Sequence, residues 1–187
     1  MLNEDAVAQI FNLYKKHGRA DYIGEDVSQI EHMTQAAMLA EEDGHSPQII
    51  LGALFHDIGH LVALDCDGTR DELGATDHEQ VAYDYLTDMG VPYPIPDLAL
   101  GHVVAKRYLI SKCPLYYDSL SPSSKKTFLQ QGGILNTTEC GAFENDILFN
   151  EKLLIRKYDD RAKVKDKSIL DISHYEAMLR KLLAAKI

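Results

Sequence analysis

Disulfide scaffolds and zinc ribbons are excluded first, because the 187 residues hold three cysteines, Cys66, Cys113 and Cys140, odd in number and without metal-type spacing. They read as free thiols of a reducing compartment. Long apolar runs are also missing. No stretch approaches membrane-spanning length, and residues 1–20 are amphipathic with acids near the start, unlike a signal peptide. A cytoplasmic protein without a membrane partner is expected. Positive charge is the third deficit: 19 bases face 29 acids, a formal charge of −10 that would repel a phosphate backbone. Nucleic acid is therefore a poor partner, and a small anionic substrate would need metals, lysine or histidines supplied locally.

A hydrophobic content of 45% suffices for the core of a single domain over 1–187. Val7, Ile10, Phe11, Leu13 and Tyr14 recur at helical spacing, with Gly18 placed as a C-cap. Ser28 to Glu31 forms a capping-box pattern, after which Ile30, Met33, Ala37 and Ala40 continue a second helix carrying His32, closed by Gly44. Ser46 and Pro47 read as N-cap and N1 of a third apolar helix with Ile49, Ile50, Leu54 and Phe55, ending near His56-Asp57-Ile58-Gly59-His60.

Residues 64–76 read as a surface loop, with Asp77 or Thr76 capping a helix through Met89 and Gly90. Prolines 92, 94 and 96 lead into a helix with Gly101, His102, Lys106 and Tyr108, and Pro114 interrupts the pattern again. Later helices are predicted over 121–131, 139–160 and 171–186. Alternating strand patterns and repeats are absent, so the expected fold is all-α, a single helical bundle.

His56-Asp57 alone could be an ordinary solvated helix end. The other histidines change that reading: His32 lies 24 positions before His56, His78 lies 21 after Asp57, and His102 lies 24 after His78, each on a different predicted helix. Four imidazoles facing one core would be costly unless metal ions satisfied their nitrogens. An acid, Glu31, Asp57 or Asp77, neighbours three of these histidines, and a bridging carboxylate would hold two ions about 3.5–4 Å apart. Oxygen and imidazole donors suit iron, with manganese and zinc left open by spacing.

Lys106, four residues after His102, would share its helix face and could bind an anion; its alternative is a surface lysine. His60 stands in the same relation to His56, with a helix-end role as its alternative. Tyr22 and Glu25 flank Gly24 in a possible lid. Ser124, Thr127 and Gln131 precede Gly132-Gly133 and could simply decorate a surface helix. His17, His45 and His174 are assigned no chemistry, and the bases within 152–167 alternate with acids as on a solvated helical face.

The order His32, His56-Asp57, His78, His102, Asp159 resembles the ligand pattern of HD-domain proteins that bind two metals. The segments DYIGEDVSQIEH, FHDIGHL, DHEQVAYDYL, GHVVAKRYL, SKKTFLQQGG and RKYDDRAK narrow the resemblance, over residues 20 to 165, to the mixed-valent di-iron oxygenases that cleave organophosphonates. The resemblance implies His32, His56, Asp57 and Asp159 as ligands of one iron and Asp57, His78 and His102 as ligands of the other, in Fe(II)/Fe(III) states. It favours Asp159 over Asp160 because Asp159 follows Arg156-Lys157-Tyr158, a basic-aromatic run like the family's.

By the same resemblance Tyr22 occupies an iron position until substrate displaces it, Glu25 attracts a substrate ammonium, and His60 and Lys106 contact the phosphonate. Ser124, Thr127 and Gln131 belong to the segment closing over it. The implied reaction uses O2 to cleave the C–P bond of 1-hydroxy-2-aminoethylphosphonate or an N-methylated analogue, giving phosphate and glycine or glycine betaine. An aromatic cage for a quaternary ammonium would draw on Tyr108, Tyr116 or Tyr117. The rival readings are an HD phosphohydrolase acting on a nucleotide or phosphate ester, and a non-catalytic metal-stabilised regulatory domain.

Overall fold

The computed structural model describes residues 4–22, 24–66 and 77–185. Among them are eleven helices and no strand, apart from an isolated bridge between Asp21 and Ser28. The chain is all-α, as expected. The first four helices are α1 (Glu4–His17), α2 (Gln29–Glu42), α3 (Pro47–Phe55) and α4 (Ile58–Asp65). α5 (His78–Asp88), α6 (Ile95–Lys112), α7 (Pro114–Ser119) and α8 (Pro122–Gln130) follow, then α9 (Thr137–Glu144), α10 (Phe149–Arg161) and α11 (Ile172–Ala184).

Local chemistry sets the ends of α2. The Ser28 side chain accepts from the Glu31 backbone while the Glu31 carboxylate accepts from the Ser28 N–H at 2.7 Å, so both orphan donors of the first turn are satisfied. At the other end Gly44 adopts φ 76°, the left-handed conformation a C′ residue needs. Gly18 follows α1 without a positive φ. Its role is proximity, since a Cβ there would meet the Tyr14 carbonyl and lie 2.9 Å from the Ile30 Cβ.

α2, α3, α6 and α10 pack around the centre, α5 lies against α4 and α6, and α1 packs on α4 and α11. The core behind the site is apolar. Phe11, Tyr14 and Phe55 form a ring cluster with centroids 5.9–6.4 Å apart, and the Tyr14 hydroxyl donates to the Leu54 carbonyl at 2.9 Å. A smaller cluster of Ile110, Leu120 and Phe128 holds α7 and α8 against the end of α6.

The third helix does not simply end at His56. It breaks there, bends by 47° and resumes as α4 to Asp65, so the expected loop from residue 64 begins two residues too early. The remainder of that loop, 67–76, and the alternative cap Thr76 lie outside the described residues. Asp77 stands at the head of α5, although its side chain makes no capping bond. The helix expected over 139–160 is two. Asn145 Nδ2 donates to the Gly141 carbonyl at 2.7 Å and Asp146 accepts from the Leu148 N–H at 2.7 Å, side-chain bonds that compete with a continuing helix. Among the described residues no single helix is long and apolar enough to cross a membrane; α3 and α4 pass that test only together, and they are bent.

Gly59 permits a close approach of α4 and α5. A Cβ at this position would collide with the His78 carbonyl oxygen and lie 2.8 Å from the carbonyl carbon, so α4 and α5 can meet only over a glycine. Gly59→Ala is expected to destabilise the fold by about 1–3 kcal/mol, lowering Tm by roughly 3–10 °C. Calorimetric melting checks this, and an unchanged Tm would refute the close-approach argument.

Candidate metal centre

His32 comes from α2, His56 and Asp57 from the α3–α4 break, His78 from the first residue of α5, His102 from α6 and Asp159 from α10. The bundle buries all six. Asp57 is the hub. Its Oδ2 lies 3.3 Å from both His32 Nε2 and His56 Nε2, and its Oδ1 lies 3.1 Å from His78 Nε2 and 3.3 Å from His102 Nε2. Asp159 Oδ1 joins the first group, 3.4 Å from His32 Nε2 and 3.9 Å from His56 Nε2. The other five residues thus divide between the two sides of the Asp57 carboxylate.

The far sides of the rings determine what the near sides can do. Nδ1 of His56 donates to the Ala53 carbonyl at 2.7 Å, Nδ1 of His102 to Ala99 at 2.7 Å and Nδ1 of His32 to Ala162 at 3.0 Å. With Nδ1 carrying the proton, each neutral ring turns an Nε2 lone pair inward. Two such lone pairs then face each other at 3.0 Å between His32 and His56, and the Nε2 atoms of His78 and His102 approach to 2.9 Å. With those tautomers the neutral rings of His32 and His56 cannot satisfy one another. A cation between them does, and the donor set fits metal: His32, His56 and Asp57 converge tightly enough to hold an ion, as do Asp57, His60 and His78.

Titration directions follow from the same charges. Burial opposes ionisation of Asp57, but the surrounding imidazoles, led by His56, hold it well below the usual carboxylate range. Burial would depress His32, yet hydrogen bonds and charge from Asp159 and Asp57 raise it to about 9, so without a cation between the rings His32 takes a proton in its place and is not neutral. Asp159 is also held low against burial, chiefly by Arg156, whose Nη1 donates to its Oδ2 at 2.6 Å. Arg156 also bonds Asp160 and the Tyr116 hydroxyl, the latter at 2.8 Å, and that hydroxyl donates to Asp160 Oδ2 at 2.6 Å. The alternatives are thereby separated: Asp159 faces the histidines, and Asp160 faces Tyr116 and Arg156.

Beside this cluster lies a group of polar side chains. Lys106 is 3% exposed, and burial, with Arg156 next, pushes its ammonium down to about 7. Its Nζ donates to Thr127 Oγ1 at 3.2 Å. His60 stacks on His78 with centroids 4.2 Å apart, and burial together with neighbouring imidazoles pulls it down to about 3, leaving a neutral ring. Tyr22 stacks on His32 at 4.1 Å, and its phenol, buried and close to Asp57, stays protonated. Ser124 is buried, and Gln131 has a buried Oε1 without a hydrogen-bond partner. Glu25 accepts from Lys163 Nζ at 3.0 Å, and Lys163 also reaches Ser124 Oγ at 3.4 Å.

No family model matches the chain. Three relatives align along nearly its whole length. A protein of Acanthamoeba polyphaga mimivirus described as uncharacterized is 44% identical over 179 residues, covering 95% of this chain and 82% of its own. A 1-hydroxy-2-(trimethylamino)ethylphosphonate dioxygenase (glycine-betaine-forming) of Leisingera caerulea is 33% identical over 178 residues, 93% of this chain and 88% of its own. A hydroxymethylphosphonate dioxygenase of Gimesia maris is 34% identical over 184 residues, 96% of this chain and 89% of its own. The chain belongs to the phosphonate dioxygenase family.

Membership of the phosphonate dioxygenase family agrees with a centre that could hold metal, and the structure brings His32, His56, Asp57, His78, His102 and Asp159 together, with His60 and Tyr22 stacked on two of the rings. Three basic residues depart from expectation. Lys152 and Arg156, read as part of a solvated face, are buried, and Lys163 is largely covered. The i,i+3 spacing of Arg156 to Asp159 was the available signal for one of them. Nor do the tyrosines form a shared cage. Tyr116 is engaged by Arg156, Tyr117 packs edge-on to Phe128, and Tyr108 hydrogen-bonds Glu144 and packs on Phe143.

Asp57→Ala is expected to abolish stoichiometric metal binding, measured by elemental analysis after reconstitution with ferrous iron; full metal content would contradict its position as hub. Arg156→Met leaves every donor in place and should weaken metal binding by about 10–100-fold through misorientation of Asp159. Competition with a chelator measures this.

Proposed function

We propose that the protein is an iron- and O2-dependent oxygenase that cleaves the C–P bond of a 1-hydroxyalkylphosphonate, releasing phosphate and a carboxylate. The carrying observation is the pair of opposed imidazole contacts on the two oxygens of Asp57, together with a buried lysine on α6, one turn after His102. In this reading His32, His56, Asp57 and Asp159 hold one iron and Asp57, His78 and His102 the other. When bound, the Fe(II)/Fe(III) pair supplies a chelating position for substrate and the means to activate dioxygen. Both atoms of O2 enter the products, and the substrate itself supplies the electrons, so no external reductant is required.

The chain's own residues bind and orient the substrate. Lys106 lost hydration on burial and has no carboxylate partner within ion-pair distance among the described residues, so a phosphonate dianion restores what burial removed. Thr127 places a hydroxyl beside it, and the unpartnered Gln131 and buried Ser124 supply further polar atoms on the α8 side. His60, neutral and stacked on His78, donates an N–H without adding charge. Tyr22 covers His32 and must move for a ligand to reach that side of the centre. The resemblance in sequence favours 1-hydroxy-2-aminoethylphosphonate and its N-methylated forms, yielding glycine or glycine betaine. The relative acting on hydroxymethylphosphonate adds a substrate without an amine.

A phosphohydrolase would use the same donors to activate water. The relatives named as dioxygenases favour oxygen chemistry instead. Protein loaded anaerobically with ferrous iron and then exposed to oxygen should release phosphate from a hydroxyphosphonate with equimolar O2 uptake, followed by phosphorus NMR and an oxygen electrode. Phosphate release from a phosphate ester without oxygen uptake, and none from hydroxyphosphonates, would overturn the reading. Lys106→Ala should lower kcat/KM by about 10–100-fold, as loss of a charge-assisted bond predicts.

A further inference from the structure

Lys163 lies two residues past α10, where a basic side chain in a polar connection would ordinarily point to water. This one turns inward. Its Nζ bonds Glu25 Oε1 at 3.0 Å and Ser124 Oγ at 3.4 Å, and stands 5.5 Å from the centre of the Tyr22 ring. The side chains of Lys163 and Glu25 are only 14% and 13% exposed. One ammonium thus touches both Glu25, in the loop that brings Tyr22 over His32, and α8, the helix whose Thr127 meets Lys106.

Its backbone is held on both sides. The carbonyl of Ala162 accepts from His32 Nδ1, and Val164 is clamped by Gln35, which donates to its carbonyl at 2.9 Å and accepts from its N–H at 3.0 Å. Gln35 is 1% exposed and lies on α2, one turn from His32. The root of Lys163 is therefore fixed to the helix that supplies the first histidine of the centre.

Charge matching decides what this placement does. Glu25 would be the natural counter-ion for a cationic substituent of the substrate, but Lys163 already neutralises it. An arriving ammonium would meet a like charge at that position. Tyr108, Tyr116 and Tyr117, each engaged elsewhere, provide no shared cage to offset the repulsion.

We propose that Lys163 is a specificity-determining residue, an internal ammonium that fills the Glu25 subsite and selects 1-hydroxyphosphonates whose second carbon is uncharged or missing. The proposal rests on the oxygenase reading above and discriminates among the substrates that reading leaves open. Hydroxymethylphosphonate fits this requirement; 1-hydroxy-2-aminoethylphosphonate and its trimethylated analogue do not.

The test compares iron-loaded wild type, Lys163→Gln and Lys163→Arg. Wild type should show a higher kcat/KM on hydroxymethylphosphonate than on 2-amino-1-hydroxyethylphosphonate. Lys163→Gln should raise the amino-to-hydroxymethyl ratio at least about tenfold, whereas Lys163→Arg should keep the wild-type ratio. Anaerobic titration calorimetry with ethylphosphonate and 2-aminoethylphosphonate, which lack the reacting hydroxyl, should show the same shift in relative affinity. A wild type that prefers the amino substrate, or a ratio unmoved or lowered in Lys163→Gln, overturns the role of Lys163 and leaves the oxygenase reading intact. No oxygen-dependent phosphate release from any hydroxyphosphonate overturns both.

Discussion

The arrangement depends on where three imidazoles place their protons. His32, His56 and His102 each give Nδ1–H to a backbone carbonyl, so each turns its Nε2 toward one buried carboxylate, where it must carry a proton or meet a cation. Two of the three accepting carbonyls, Ala53 and Ala99, lie three residues upstream on the ring's own helix, so the orientation is built into local geometry. The third, Ala162, lies beyond α10 and ties ring orientation to tertiary packing. A centre of this kind is poorly satisfied by protein alone: crowded acceptors demand either protons or cations, and the bundle supplies little else.

Much of the helical framework serves that geometry. The bend between α3 and α4 puts Asp57 where an N-cap residue belongs, yet its carboxylate makes no capping bond and is turned to the histidines and the Tyr22 hydroxyl. Gly59 then admits the backbone of His78, so that α5 delivers its first residue to the opposite oxygen. Arg156 completes the far side by holding one oxygen of Asp159 and leaving the other to face His32. The local breaks and caps that interrupt the bundle are therefore part of how six donors from five segments come to share one cavity.

The framework was legible in the sequence because its signals are local. The Ser28–Glu31 box, the Ser46-Pro47 start and the glycines at 44 and 90 each act within a turn, and the structure shows them at helix ends. The spaced histidines were legible because polar rings at positions otherwise suited to a core require partners. The α3–α4 break was harder to see, because an apolar run continues through His56-Asp57 and only the tertiary demand on Asp57 interrupts it. The split of 139–160 turned on two side-chain bonds at Asn145 and Asp146 that compete closely with helix continuation.

Lys163 and Arg156 were obscured by charge alternation, which looks the same whether a helix face meets water or a partner inside the protein. What separates the cases is desolvation. An acid next to a base in sequence says nothing about the energy of the pair, whereas Arg156 among Asp159, Asp160 and Tyr116 has no bulk water to replace a lost partner. The same reasoning separates Lys106 from Lys163. Lys163 is paired with an acid before any ligand arrives, while among the described residues Lys106 makes a neutral hydroxyl contact and no ion pair, beside the candidate metal centre. In the proposed reading an incoming anion would gain most by meeting the cation whose charge is still uncompensated, which would direct the phosphonate toward Lys106 and the rest of the substrate toward the closed pair of Glu25 and Lys163.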